Sequence, residues 1–169
     1  DRGLKVNSTI GSFKVQPARA TGDPATVGPV DVVLFTVKSW DTRSAAESIR
    51  PLIGEDTAVI SLQNGVDNEE ELAEVLGARH AVGGLAYVTS IIASPGVIQQ
   101  SGAIARLVFG ELDGRHTPRI DAFYEACRAA SINAARSARS ISGHRPAPEA
   151  SMRPAWISSA WSKRNCPDT

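Results

Sequence analysis

An α/β fold follows from three features of this 169-residue chain. Two short Val- and Ile-rich runs lie within Asp31–Trp40 and Ala58–Gly65, and each stops at a polar group. Lys38 ends the first, and Gln63-Asn64-Gly65 ends the second. Each run is followed by residues at helical spacing, the pattern of a parallel strand buried on both faces within a strand–helix unit. From Ala81 onward the texture turns strand-rich with turn signals between the runs, which predicts an antiparallel extension. Ligands of open α/β sheets sit beyond the carboxyl ends of the parallel strands, so the polar residues at those two ends are the candidate site.

Taken in order, Gly3–Ile10 and Ser12–Val15 alternate apolar and polar residues around Gly11, as a hairpin or a pair of short edge strands would. Asp23-Pro24-Ala25 reads as a brief helical turn with Asp capping and Pro in the first position. Gly28-Pro29 precedes the first buried strand. After Lys38 the period changes. Asp41 or Thr42 can cap a helix that places Ala45, Ala46, Ile49, Leu52 and Ile53 on one face, with Pro51 near its end. Gly54-Glu-Asp reads as a turn before the strand Ala58–Leu62. Asp67 with Glu70, or Asn68 with Glu71, has capping-box spacing ahead of Leu72, Val75 and Leu76, and Gly77 stops that helix.

Three strand-like runs follow, 81–92, 96–101 and 105–110, separated by Ser94-Pro95-Gly96 and Ser101-Gly102. Thr117-Pro118 then opens a helix carrying Ile120, Phe123, Tyr124 and Cys127. Past about residue 131 the pattern stops: no Leu follows Leu112, no Val follows Val108, and the last 35 residues hold seven Ser, six Ala, five Arg and four Pro. So few aliphatics do not offset an ordering entropy of roughly 1–2 kcal/mol per residue, so residues 131–169 read as a disordered tail behind a folded unit of 1–130. A sharper reading is a natural reading frame lost between 131 and 140, which the coding DNA tests. The chain opens on Asp1 rather than Met, in keeping with a start that lies upstream.

Zero formal net charge predicts no general affinity for nucleic acid or anionic membrane. Residues 126–169 carry 7 Lys and Arg against 2 Asp and Glu, yet without a folded motif or an aromatic repeat. No apolar run approaches the ~18 residues of a membrane span. His80, His116 and His144 are dispersed without metal-ligand spacing. Cys127 and Cys166 match no metal or redox pattern and read as reduced thiols, which points to the cytoplasm.

The residues at the strand ends carry their own chemistry. A strand-end Lys is a mobile cation beside the helix N-terminus that follows, and both attract phosphate or carboxylate. An Asn offers donor and acceptor together and can fix an amide or a hydroxyl in one orientation. Gly65 allows close backbone approach or a positive φ. Against this stand two plainer readings, a solvated surface Lys and an Asn-Gly turn.

At Phe35-Thr-Val-Lys-Ser-Trp40 and Ser61-Leu-Gln-Asn-Gly-Val-Asp-Asn-Glu-Glu70 the chain resembles the ketopantoate reductase (2-dehydropantoate 2-reductase) family. The resemblance covers residues 1–125, including Gly83-Gly84 through Tyr87 and Pro95-Gly96-Val97-Ile98. It implies a partial Rossmann-like parallel sheet and NADPH-dependent reduction of ketopantoate to pantoate, on the route to pantothenate and coenzyme A. It also implies cofactor contacts from Lys38, Asn64 and, on a looser local match, Thr89. Asn64 would in addition touch the keto-acid substrate. Gln100 stands where many relatives carry His and receives no role.

The G-x-G-x-x-G phosphate loop of that family is absent from the sequence, as is a match to its general-acid Lys. Trp161-Ser-Lys163 resembles the surroundings of that Lys only superficially, so no catalytic residue is assigned. A first βαβ unit and a C-terminal helical domain are therefore expected to be missing, and the chain alone to be inactive. Two other readings stay open. One is a different NAD(P)-dependent 2-keto or 2-hydroxy acid dehydrogenase of the same design. The other is a non-enzymatic remnant that self-associates through exposed sheet edges.

Overall fold

The computed structural model describes residues 3–138. The tail beyond them, with Trp161 and Lys163, lies outside the described residues, as do the last two positions of the segment in which a frame loss is expected. The described residues form seven strands and three α-helices. The strands are β1 (Leu4–Ser8), β2 (Phe13–Val15), β3 (Val30–Phe35), β4 (Ile53–Ser61), β5 (Ala81–Ser94), β6 (Val97–Glu111) and β7 (Ala134–Arg136). The helices are α1 (Thr42–Ser48), α2 (Asn68–Leu76) and α3 (Pro118–Ala129). They build one mixed sheet in the order β2-β1-β6-β5-β4-β3, with β7 added beside β6. The pairs β3–β4 and β4–β5 are parallel, and β5–β6 is a long antiparallel hairpin.

The parallel part is buried on both faces, as its uninterrupted apolar runs predict. Val59 points to one face and packs with Phe35, Ala46, Leu72, Val75 and Ala81 beneath α1 and α2. Its neighbours Ala58 and Ile60 point to the other and pack with Val82, Phe109, Ile120 and Cys127 beneath α3. The alternation is the two-residue period of a strand, and it makes β4 the middle layer between two helical layers.

Local chemistry explains where the elements depart from the expected boundaries. The helix after Lys38 ends at Ser48 instead of continuing to Ile53. Pro51 has no N–H to bond the carbonyl of Glu47, so the chain passes into a 3-10 turn, Arg50–Leu52, and then into β4. The expected turn at Gly54-Glu-Asp is extended backbone with a register shift against β3. There the Thr57 hydroxyl accepts from the Gly54 amide (2.8 Å) and donates to the Val30 carbonyl (2.5 Å), standing in for ladder bonds.

Ser101-Gly102 is not a turn between two strands but a bulge inside β6: Val88 faces Ala105 while Thr89 faces Ser101. The buried Gln100 amide nitrogen donates to the carbonyls of Ser101 (2.9 Å) and Gly102 (3.0 Å), satisfying backbone that the bulge leaves without a partner. Neither expected capping box forms at α2, where Asp67 holds the N-cap position with no side-chain cap bond. The sheet also continues past the point where aliphatic residues run out. Ala134–Arg136 pairs in parallel with Leu107–Phe109, and the Arg136 guanidinium lies 4.6 Å from the centre of the Tyr124 ring.

Candidate functional site

The parallel register brings Phe35 and Ser61, at the carboxyl ends of β3 and β4, into line with Gly83, where the parallel pairing of β5 with β4 stops. The last β3–β4 ladder bond runs from the Leu62 amide to the Phe35 carbonyl (2.9 Å). Beyond it the two chains diverge into the loops carrying Lys38 and Asn64. Lys38 is extended (φ −68°, ψ 145°) and opens the 3-10 turn Ser39–Asp41. Its carbonyl accepts from the Asp41 amide at 2.9 Å. Its side chain is exposed, and no carboxylate among the described residues pairs with it.

Asn64 is also exposed. Its carbonyl accepts from the side-chain amide of the buried Asn68 at 3.3 Å, across Gly65 with φ 138°. A β-carbon on Gly65 would lie 2.6 Å from that Asn68 nitrogen, so both the conformation and the contact call for glycine. Gly84 is equally constrained, because a β-carbon there would lie 2.6 Å from the Ser61 carbonyl oxygen. Thr89 stands apart: it follows Gly83 by six residues along β5, about 20 Å at the rise of an extended strand.

Two residues outside the expected site organise it. Gln63 is 9 % exposed, and its amide nitrogen donates both to the Val37 carbonyl (3.0 Å) and to the Thr42 hydroxyl (2.8 Å). Thr42 in turn donates to the Ser39 carbonyl (2.8 Å). Glu69, in the first turn of α2, is buried at 6 % exposure. Burial above all pushes its carboxyl up, against the opposing pull of its own backbone amide. The sequence shows Glu69 only as one of three acidic residues suited to the start of a helix. Nothing in that run singles it out as the inward-facing one.

A pH dependence follows. With the folded value raised above the unfolded 4.5, the unfolded chain releases this proton first. Stability therefore falls as pH rises from 4.5 through the raised value, and Glu69→Gln is expected to flatten that part of the profile. Urea unfolding of both chains across the acid-to-neutral range checks it.

A hollow of about 600 Å³ lies at the opposite, amino end of the parallel strands, next to Arg79, Glu111, Arg115 and Arg119. Its cations are engaged: Arg79 donates to the Glu55 carbonyl, Arg115 pairs with Asp113, and Arg119 pairs with Glu111. The carboxyl end is the stronger candidate because its Lys and Asn side chains are uncommitted and because α2 opens there.

Comparison with known proteins follows the same residues. A family model described as ketopantoate reductase PanE/ApbA matches residues 1–114. An uncharacterized oxidoreductase, YkpB, of Bacillus subtilis is 30% identical over 142 residues, covering 84% of this chain and 45% of the relative. A 2-dehydropantoate 2-reductase of a Nostoc species is 35% identical over 88 residues, 52% of this chain and 28% of its own length. The crystal structure of 2-dehydropantoate 2-reductase from Geobacter metallireducens superposes with a TM-score of 0.74 at 36% identity, over 81% of this chain and 45% of that one. The chain thus spans less than half the length of the relatives it matches.

Proposed function

The chain belongs to the ketopantoate reductase PanE/ApbA family, and we propose that its β3 and β4 ends form the cofactor and keto-acid side of an NADPH-dependent reductase site. The observation that carries this reading is the juxtaposition of two parallel strand ends, with Lys38 after one, Asn64 after the other, and Gln63 bonded across both loops. The donor set fits the group. A nicotinamide carboxamide and a ketone or hydroxyl both match an Asn side chain, and the cofactor phosphates and a substrate carboxylate match an unpaired Lys. Bound there, NADPH would supply the hydride that converts ketopantoate to pantoate.

In this site Asn64 orients the reacting groups through its amide. Lys38 draws in the anionic ones, helped by the amino end of α2. Thr89 is assigned a further cofactor contact on resemblance. A cytoplasmic activity on the path to pantothenate and coenzyme A belongs to the same reading.

Turnover by this chain alone is not part of the proposal. Hydride transfer to a ketone calls for a cradle for the pyrophosphate and a proton donor at the oxygen. The sequence contains no G-x-G-x-x-G, and none of its Lys residues is assigned as the acid. Purified chain with NADPH and ketopantoate is expected to show no loss of NADPH absorbance above an enzyme-free blank. A rate above that blank would overturn the inactive reading while leaving the site assignment in place.

A second reading rests on strand edges. Among the described residues β3 is an edge strand of the sheet, and β5 has no parallel partner beyond Gly83. Leu85, Tyr87, Val88, Ile91 and Ile92 are exposed along that stretch, which favours self-association through it.

A further inference from the structure

We propose that Gln63 is a positioning residue that couples the two candidate site residues, holding Lys38 and Asn64 in one mutual arrangement; this rests on the site reading above. Gln63 immediately precedes Asn64 in the chain, and its side chain bonds the carbonyl of Val37, which immediately precedes Lys38. The link therefore joins the two loops one residue back from each exposed side chain. It also prolongs the β3–β4 ladder past its last backbone bond, Leu62 to Phe35.

The orientation of the amide is forced from both sides. The Val37 carbonyl can only accept, so it must face the NH2 group. The single proton of the Thr42 hydroxyl goes to the Ser39 carbonyl, so toward Gln63 that hydroxyl also accepts. A flipped amide would set its oxygen against two acceptors. Thr42 is fully buried, and through its bond to Ser39 the clamp reaches the residue on the far side of Lys38.

The arrangement has a cost that general packing does not explain. With the nitrogen used twice, the Gln63 side-chain oxygen is buried with no hydrogen-bond partner. An unsatisfied buried acceptor gives up its hydrogen bond to water and gains nothing in return. A leucine would fill similar space without that orphan oxygen, but it would leave the Val37 carbonyl and the Thr42 hydroxyl without this donor. Two donors from one nitrogen, aimed at one loop, are what glutamine supplies here.

The test uses the whole chain in solution, with backbone and side-chain amides followed by NMR. In the parent chain both protons of the Gln63 side-chain amide are expected to exchange slowly, as befits two buried bonds. Gln63→Leu is expected to lower the order parameters of Lys38 and Asn64 together, from about 0.85 toward 0.6, while Val59 and Val82 keep theirs. Gln63→Glu adds a pH signature. Ionised, it can donate to neither acceptor and behaves as the Leu variant does; protonated, it can donate again and tightens both residues. Should Gln63→Leu fail to fold, Thr42→Val removes one acceptor at nearly constant shape and is expected to loosen Lys38.

Unchanged order at Lys38 in Gln63→Leu, or in Thr42→Val where it is the variant read, would overturn the coupling. So would a Gln63→Glu variant whose Lys38 and Asn64 ignore pH. NADPH titrated into the parent chain separates this from the site reading. The variants are read without cofactor, so the clamp stands or falls on their order parameters whether or not NADPH shifts either resonance.

Discussion

Phe109→Ala is expected to lower the stability of the folded unit by about 3–5 kcal/mol, measured as a shift in the urea midpoint at unchanged slope. Phe109 is fully buried and is the largest of the fully buried side chains. Its ring centre lies 4.8 Å from that of Phe123 on α3, tilted by 53°. It also belongs to the apolar cluster that joins β4, β5 and β6 to α3, with Ile60, Val82, Ile120 and Cys127. Truncation removes the ring's transfer energy and leaves a cavity among rigid neighbours. The sheet cannot close that cavity without giving up strand register, so the upper part of the range applies. Phe123→Ala is expected to cost less, because Phe123 is only partly buried.

Arg119→Ala is the second large effect, on the order of 3 kcal/mol, because it strands a buried carboxylate. Glu111 is 8 % exposed and accepts two bonds from one edge of the guanidinium, from Nε at 2.8 Å and Nη2 at 2.7 Å, plus one from the Thr117 hydroxyl at 2.6 Å. Burial taken alone would push this carboxyl up; the Arg119 and Thr117 bonds more than offset it and hold it below its ordinary value. The sign follows from that lowered value. The pair's stabilisation is present above the unfolded 4.5 and is lost as pH falls through the folded value. In Arg119→Ala that acid-side loss should disappear or reverse, since an unpaired buried carboxyl takes up its proton more readily. Unfolding free energies measured from neutral to acid pH read both effects in one series. Glu69 runs the opposite way, so the parent profile sets two buried carboxyls against each other, one in the first turn of α2 and one at the end of β6.

How much of this was legible beforehand can be followed residue by residue. The two-sided burial of β4 was visible because Ala58-Val-Ile has no polar residue to turn toward water. The ends of β3 and β4 were visible for the same reason: the first polar residues after an apolar run lie at its end. Long-range partners were not visible. Nothing local marks Gln63 as bonded to a carbonyl 26 residues earlier, or Thr57 as the bridge to Val30. Ser101-Gly102 carries the composition of a turn, and only its pairing with β5 makes it a bulge. The three-residue β7 has no aliphatic period of its own. It is held by the exposed backbone of β6 and by Arg136, which pairs with Asp121. Composition alone could not foresee a strand there.

The assignment of Lys38 and Asn64 is tested most directly in a hybrid. Residues 3–114 of this chain would replace the matching segment of a full-length 2-dehydropantoate 2-reductase, and kcat/KM for NADPH-dependent ketopantoate reduction would be measured. An active hybrid is expected to lose roughly a hundredfold or more on Asn64→Ala, the scale of removing one preorganised donor from the reacting centre. Lys38→Ala should lose roughly tenfold or more, the scale of one charge-assisted contact to an anionic group. A hybrid that reduces ketopantoate with the same kcat/KM before and after both substitutions would contradict the account.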